Sequence, residues 1–291
     1  MDKRTLLLRI KLCPGIGLKG ENLAYQWLKN ENIGNLDIEE VQAMTINLLR
    51  EHHLNYQKFA VSFLSRDLNI MVNQAMRKKW ITIFDDIYPE QLKEMYLPPV
   101  ILFYAGNLNL LNEKNLLGVV GSRKCSKYAV QAMKKIFSQN VISHYVIVSG
   151  LAEGVDTLGH QIALANRGKT IAVLGTGLDC FYPRSNQGLQ IELTKNNLVL
   201  SEYDSGIGPR KHHFVERNRI IAGLSQKLLV VEARLKSGSL ITASLALQNN
   251  RDILAVPGNV NSSYSAGSNE LIAAGCQPCL DERDVLGRIV I

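Results

Sequence analysis

Six short apolar runs, each ending in small or acidic residues and separated by helical patterns, constrain this chain more than any other feature. They cover residues 116–120, 145–148, 170–174, 198–200, 228–231 and 253–256. The first is followed by Gly121-Ser122, and then by Ala129, Ala132, Met133, Ile136 and Phe137 at the spacing of one helix face. Strands that are apolar throughout, alternating with helices, indicate a parallel sheet covered on both faces. Right-handed crossovers then give an α/β class, with a doubly wound, Rossmann-like, mostly parallel sheet. In such a sheet the ligand crevice lies beyond the carboxyl ends of the strands. The residues expected there are Gly121, Ser122, Arg123, Ser149, Gly150, Gly175, Thr176, Gly177, Glu202 and Pro257-Gly258.

Residues 1–80 read differently. Helical patterns at 21–29, 38–51 and 56–64 are broken by Pro14-Gly15-Ile16-Gly17 and Ile33-Gly34-Asn35. They predict a small all-helical domain over 1–80, ahead of an α/β domain over 81–291. Short β-like runs at 81–84 and 100–104 mark the entry to the second. Trp27 is expected in the core. The Pro14–Gly17 segment is either a helix-breaking turn, the favoured reading, or a hairpin offering amides to a phosphate.

The 46% hydrophobic content excludes a disordered chain. No apolar run approaches the ~18 residues of a membrane helix, so no membrane insertion is expected. No cleavage site follows Leu6–Leu8, and five scattered cysteines, an odd number, suit a reducing cytoplasm better than a disulfide framework. The formal net charge of +7 permits an anionic partner without demanding one. Residues 1–80 hold 12 Lys and Arg against 8 Asp and Glu, so the excess is denser there.

Several strand-end residues suit an anion. Gly121 lets a phosphate approach the backbone, and Arg123 can clamp it, although a plain turn with a surface arginine reads equally well. The second strand lacks the acidic end and the first turn the glycine spacing of a dinucleotide site, and no phosphate-loop motif occurs. Asp156 is expected to cap the helix that follows it. Tyr182 can stack on a base and Arg184 can meet a phosphate, or both can plug the loop. Arg217, Asn218 and Arg219 lie in the densest basic segment, which begins at Arg210-Lys211. They suit phosphate contact, with ion pairing to Glu202 or Glu232 as the alternative. The adjacent His212 and His213 diverge on any regular element and lack partners at ligand spacing, and Cys276 and Cys279 form a lone pair, so no metal is expected. No nucleophile–base pair is evident, so no catalytic residue and no cofactor are assigned.

Taken together, these turns resemble the DNA-processing protein A family (DprA, also called Smf). The matching stretches are Val119-Val-Gly-Ser-Arg123, Ser149-Gly-Leu-Ala152 with Gly154-Val-Asp156, and Gly175-Thr-Gly-Leu-Asp179 with Tyr182-Pro183. They continue through Ser201-Glu-Tyr203, Phe214, Arg217-Asn-Arg-Ile-Ile-Ala-Gly-Leu224, Val231-Glu-Ala233, Ser237-Gly-Ser-Leu-Ile-Thr-Ala243 and Ala255-Val-Pro-Gly258, to Gly267, Asn269 and Gly275. The resemblance implies a Rossmann-like domain that binds and protects single-stranded DNA during natural transformation and helps load a RecA-type recombinase, without catalytic turnover. It implies DNA contact at Gly121, Ser122, Arg123, Arg184 and the 217–219 segment, and a homodimer. Glu153, Asp204, Val215, Asn250 and Cys276 depart from the family's usual residues. No winged-helix module is expected after residue 291, and the first domain resembles the family's sterile-alpha-motif or helix-hairpin-helix module. Leu247, Leu271 and Ile272 are expected to supply part of the dimer face. The alternative is a nucleotide-binding or nucleotide-hydrolysing enzyme of the related phosphoribohydrolase-like group, whose Pro-Gly-Gly signature diverges here at Pro257-Gly258-Asn259.

Overall fold

The computed structural model describes residues 1–31 and 37–287. The predicted break at Ile33-Gly34-Asn35 lies outside the described residues. The chain divides into two compact units, Met1–Phe103 and Tyr104–Ile291.

The first unit holds α1 (Lys3–Leu12), α2 (Gly17–Asn30), α3 (Ile38–Glu51), α4 (Gln57–Ser62) and α5 (Arg66–Ala75). After them come β1 (Trp80–Thr82) and α6 (Glu90–Lys93), and the first residues of β2 (Ile101–Gly106), which pairs antiparallel with β1. The sequence patterns missed α1 and α5. In α1, Leu6, Leu7, Leu8, Arg9 and Ile10 are all buried, so no polar face alternates with an apolar one. Arg9 is tolerated because its guanidinium donates to Asn69 Oδ1 at 2.6 Å and to the Phe63 carbonyl, and lies over the Phe63 ring. The Pro14–Gly17 segment is the turn joining α1 to α2, with Gly15 in the left-handed region at φ 93°. Trp27 is half-buried.

The second unit is the predicted α/β sheet. Its strands are β3 (Leu116–Val120), β4 (Val146–Ser149), β5 (Thr170–Leu174), β6 (Leu198–Ser201), β7 (Lys227–Val230), β8 (Asp252–Ala255) and β9 (Gln277–Pro278). They run parallel in the order β6-β5-β4-β3-β7-β8-β9. The six predicted runs match β3 to β8 to within one residue, the usual fraying of strand ends. The two-residue β9 is too short to leave a pattern.

The connecting helices are α7 (Lys127–Ile136), α8 (Gln139–His144), α9 (Val155–Ala165), α10 (Gln187–Asn196), α11 (Lys211–Leu224) and α12 (Gly238–Gln248), followed by α13 (Ala266–Ala273) and α14 (Glu282–Leu286). They cover both faces. Leu117 and Val119 of β3 pack with Ala129 and Met133 of α7 and with Val155 and Ala163 of α9. Gly118, between them, faces the other way, where a Cβ would lie 2.4 Å from the Ser225 hydroxyl just after α11. The chain winds outward from β3 to β6 and then returns to place β7 against the free side of β3. The switch point is therefore the β3–β7 boundary.

His160 on α9 is fully buried and bonds Thr170 Oγ1 at 2.6 Å through Nδ1. Burial, helped by the charge of Arg217, pushes its pKa down to about 3. The unfolded imidazole takes a proton near pH 6.5, whereas the folded one refuses it until about pH 3. Its contribution to stability is therefore complete above pH 6.5 and is lost as the pH falls toward 3. Urea unfolding at pH 7.5 and pH 5 is expected to show a larger acid loss in the wild type than in His160→Gln; equal losses would contradict this.

Candidate nucleic-acid interface

The β3–α7 turn is locked by local chemistry. Ser122 Oγ accepts the Lys124 N–H at 3.2 Å and donates to the Lys124 carbonyl at 2.9 Å, which leaves the Arg123 side chain directed outward and exposed. The turn is also held from the β4–α9 side. Gly154, at φ 78°, comes so close that a Cβ would lie 2.2 Å from the Ser122 carbonyl, and that carbonyl accepts the Val155 N–H at 3.1 Å.

Beyond it, at the β3–β7 switch point, lies a cavity of about 760 Å3. Arg123, Lys124, Arg210, Lys211, Arg234 and Lys236 line it and are all exposed, and Arg217 lines it from a buried position. Among the described residues the single lining carboxylate is Asp156. Two helices begin at the cavity, α11 after Arg210 and α12 after Ser237, and neither N-cap side chain bonds the first-turn amides. Those amides and the helix dipoles favour an anion. The apolar part of the wall includes Phe214, whose ring lies 5.2 Å from that of Tyr182 and 5.8 Å from the Arg123 guanidinium carbon.

Arg217 organises the interior. It is 4% exposed and donates through Nη1 to the Val173 carbonyl at 2.7 Å and through Nε to Asn218 Oδ1 at 3.1 Å. A Cβ at residue 150 would lie 1.8 Å from Nη1, so the glycine leaves room for the guanidinium. Asp156 is the second residue of α9 rather than its N-cap, which is Gly154. It accepts the Gly150 N–H at 3.2 Å instead. Burial pushes the Asp156 carboxyl up, and the Arg217 charge holds it back down.

Of the residues expected at the crevice, Gly121, Ser122, Arg123, Tyr182, Arg217 and Asn218 line this cavity. Ser149, Gly150, Gly175, Thr176 and Gly177 do not; all are buried. Ser149 Oγ bonds the Val119 carbonyl, Thr176 Oγ1 the Cys180 carbonyl, and the Gly177 N–H the Ile207 carbonyl. Gly175 packs against Phe214. Arg184 is exposed but opens a short 3-10 turn outside the lining. Arg219 takes the ion-pair alternative: its Nη2 meets Glu202 Oε2 at 2.5 Å, both side chains buried. It is structural: its guanidinium is held by Glu202, and it is not among the residues lining the cavity.

Lys124, Arg234 and Lys236 were missed. Arg234 and Lys236 follow the β7 end within four and six residues, so the strand-end rule could have found them had it run past Ala233. His213 stacks on Tyr203 at 4.0 Å and meets His212 edge-on, and no metal-holding cluster occurs among the described residues. Cys279 is a buried core cysteine, and burial pushes its thiol up to about 12.

The family model for DNA recombination-mediator protein A matches residues 79–289. The DNA processing protein DprA of Streptococcus pneumoniae is 49% identical over 205 residues, 70% of this chain and 72% of that one. That of Bacillus subtilis is 38% identical over 286 residues, 98% of this chain and 95% of that one. The X-ray structure of the S. pneumoniae protein matches with a TM-score of 0.89 at 37% identity, covering 100% of this chain and 99% of that chain. DNA processing protein A of Helicobacter pylori, described for its single-stranded DNA binding mode, matches with a TM-score of 0.63 at 31% identity, over 71% of this chain and 94% of that chain.

Removing the buried arginine strands its carboxylate. Arg217→Met is expected to cost about 1–3 kcal/mol of stability, because the buried Val173 carbonyl loses its donor and Asp156 the nearby charge. Adding Asp156→Asn should recover part of that loss, because the uncompensated charge disappears. Denaturant titration of both variants checks this; purely additive losses would show that the two groups do not couple.

Proposed function

Because the chain belongs to the DNA recombination-mediator protein A family, we propose that its cationic cavity holds the backbone of single-stranded DNA during natural transformation, protects the strand and presents it to a RecA-type recombinase. One observation carries this reading. Six exposed cations and two helix N-termini without side-chain caps ring a single cavity, and its lone carboxylate is committed to the Gly150 amide and to Arg217. Phosphates meet Arg123, Lys211 and the free amides. Bases unstacked from a duplex find Phe214 and Tyr182, which every base type can use. The single-stranded DNA binding described for the H. pylori relative supports the same assignment.

The site is a binding site rather than a catalytic one in this reading. Ser122 Oγ is spent on the Lys124 backbone, and no histidine lines the cavity among the described residues. The protein works in the cytoplasm and as a homodimer. Leu247 is the best-placed residue of the proposed dimer face at 66% exposure, with Leu271 and Ile272 half-buried. No helix among the described residues is long and apolar enough to cross a membrane.

Gel shifts of single- and double-stranded oligonucleotides across salt concentrations test the site. Arg123→Ala is expected to weaken single-strand binding and to flatten the slope of log affinity against log salt by about 0.7, the value of one phosphate contact. Unchanged affinity would remove the cavity from the mechanism. Equilibrium sedimentation at micromolar concentration tests the assembly: the wild type is expected to be dimeric and Leu247→Arg to shift toward monomer, and a monomeric wild type would reject the dimer.

A further inference from the structure

The loop that lines the cationic cavity with Gly121, Ser122, Arg123 and Lys124 goes on to line a second cavity, of about 650 Å3, with Ser126, Lys127 and Tyr128. Its other walls are Glu232, just after β7, Pro257, Gly258 and Asn259, just after β8, and Ser262 and Ser265 beyond them. Tyr128 lies four positions after Lys124, a reach of at most about 14 Å. A strand seated in the first cavity therefore has the second within a few nucleotides.

Two features of this cavity have no role in the first. Glu232 is 2% exposed, and among the described residues its oxygens accept the Ser126 N–H at 3.1 Å and the Ser126 hydroxyl at 2.5 Å and nothing else. No cation pairs with it among the described residues. A buried carboxylate normally has a countercharge or a full set of donors. Each of its oxygens keeps a further lone pair, so the wall of the cavity retains acceptor capacity. The negative charge is felt nearby: after burial, Glu232 is the next cause raising the Tyr128 phenol and the Cys125 thiol. Tyr128 is the second feature. Its hydroxyl donates to the Pro257 carbonyl, which fixes the ring as a wall, and 45% of the residue stays exposed. A fixed aromatic face beside a buried anionic acceptor matches a flat heterocycle that carries amino donors.

We propose that this second cavity takes a nucleobase of the same DNA strand, its exocyclic amino group on Glu232 and its ring against Tyr128, so that amino-bearing bases are preferred over thymine. The proposal rests on the single-strand reading of the first cavity. Thymine offers one N–H flanked by two carbonyl oxygens, which a carboxylate repels, whereas cytosine and adenine present an unhindered amino group.

The test compares the full chain's affinities for dC, dA and dT homopolymers of one length, measured by fluorescence anisotropy. Wild type, Glu232→Gln, Tyr128→Ala and Arg123→Ala are used. The readout is the ratio of dC or dA affinity to dT affinity, and how substitution changes it, since stacking within a homopolymer affects every variant alike. The wild-type ratio is expected to be about five- to tenfold higher than that of Glu232→Gln, whose amide can also donate to thymine O4. Tyr128→Ala should weaken binding of all three by about tenfold. An unchanged ratio in Glu232→Gln overturns the proposal. Should Glu232→Gln fail to fold by thermal melting, Tyr128→Ala decides, and undiminished dC affinity in that variant overturns it. Arg123→Ala separates the two readings. If it weakens all homopolymers while Glu232→Gln leaves the ratio unchanged, only the base subsite fails; if it too changes nothing, both readings fail.

Discussion

A guanidinium buried among the strand ends governs how this sheet can use its crevice. Arg217 reaches back from α11 to the Val173 carbonyl of β5 and occupies the space that any side chain at residue 150 would need. Its charge is compensated by Asp156, whose carboxylate also holds the Gly150 amide. The protein's own groups thus satisfy the turns after β4 and β5, which in other doubly wound sheets are open to ligands. Ligand space is left at the β3–β7 boundary, where the chain reverses its winding and two helices begin.

The electrostatics follow from that placement. A net charge of +7 spread over 291 residues says little about a partner. What matters is that the buried cations are taken up inside the protein, Arg219 by Glu202 and Arg217 by the Val173 carbonyl and Asn218, whereas the exposed ones at the cavity face no free carboxylate in its wall. Buried pairs contribute packing and register, and exposed cations contribute a local field. The two populations share one stretch of sequence: Lys211 is exposed on the first turn of α11, and Arg217 and Arg219 are buried further along it.

Much of the fold was legible because its signals are local. Apolar runs of three to five residues that end in small or acidic residues identify strands of a covered parallel sheet, and β3 to β8 emerged within a residue of their observed bounds. The signal failed where burial removes contrast, as in α1, and where an element is too short to carry a period, as in β9. In the site, Arg123 and the β3 turn were readable from the strand-end rule. Arg234 and Lys236 lie on the same kind of turn, but a longer one, so the rule stopped short of them.

By itself, then, the sequence determined the class of sheet, its strands and the end of the sheet that carries the site, because hydrophobic periodicity and turn chemistry act over a few residues. It also carried the ordered set of motifs that marks the family. Only the tertiary structure decided which polar groups at those strand ends are free. Arg219 differs from Arg123 not in type but in what lies opposite it, a glutamate just after β6 rather than open cavity, and Ser149 is likewise taken up by a carbonyl of the neighbouring strand. A hydrogen bond or ion pair between residues far apart in sequence leaves no local pattern. The division between groups that hold the fold and groups left to meet a ligand was therefore settled by packing.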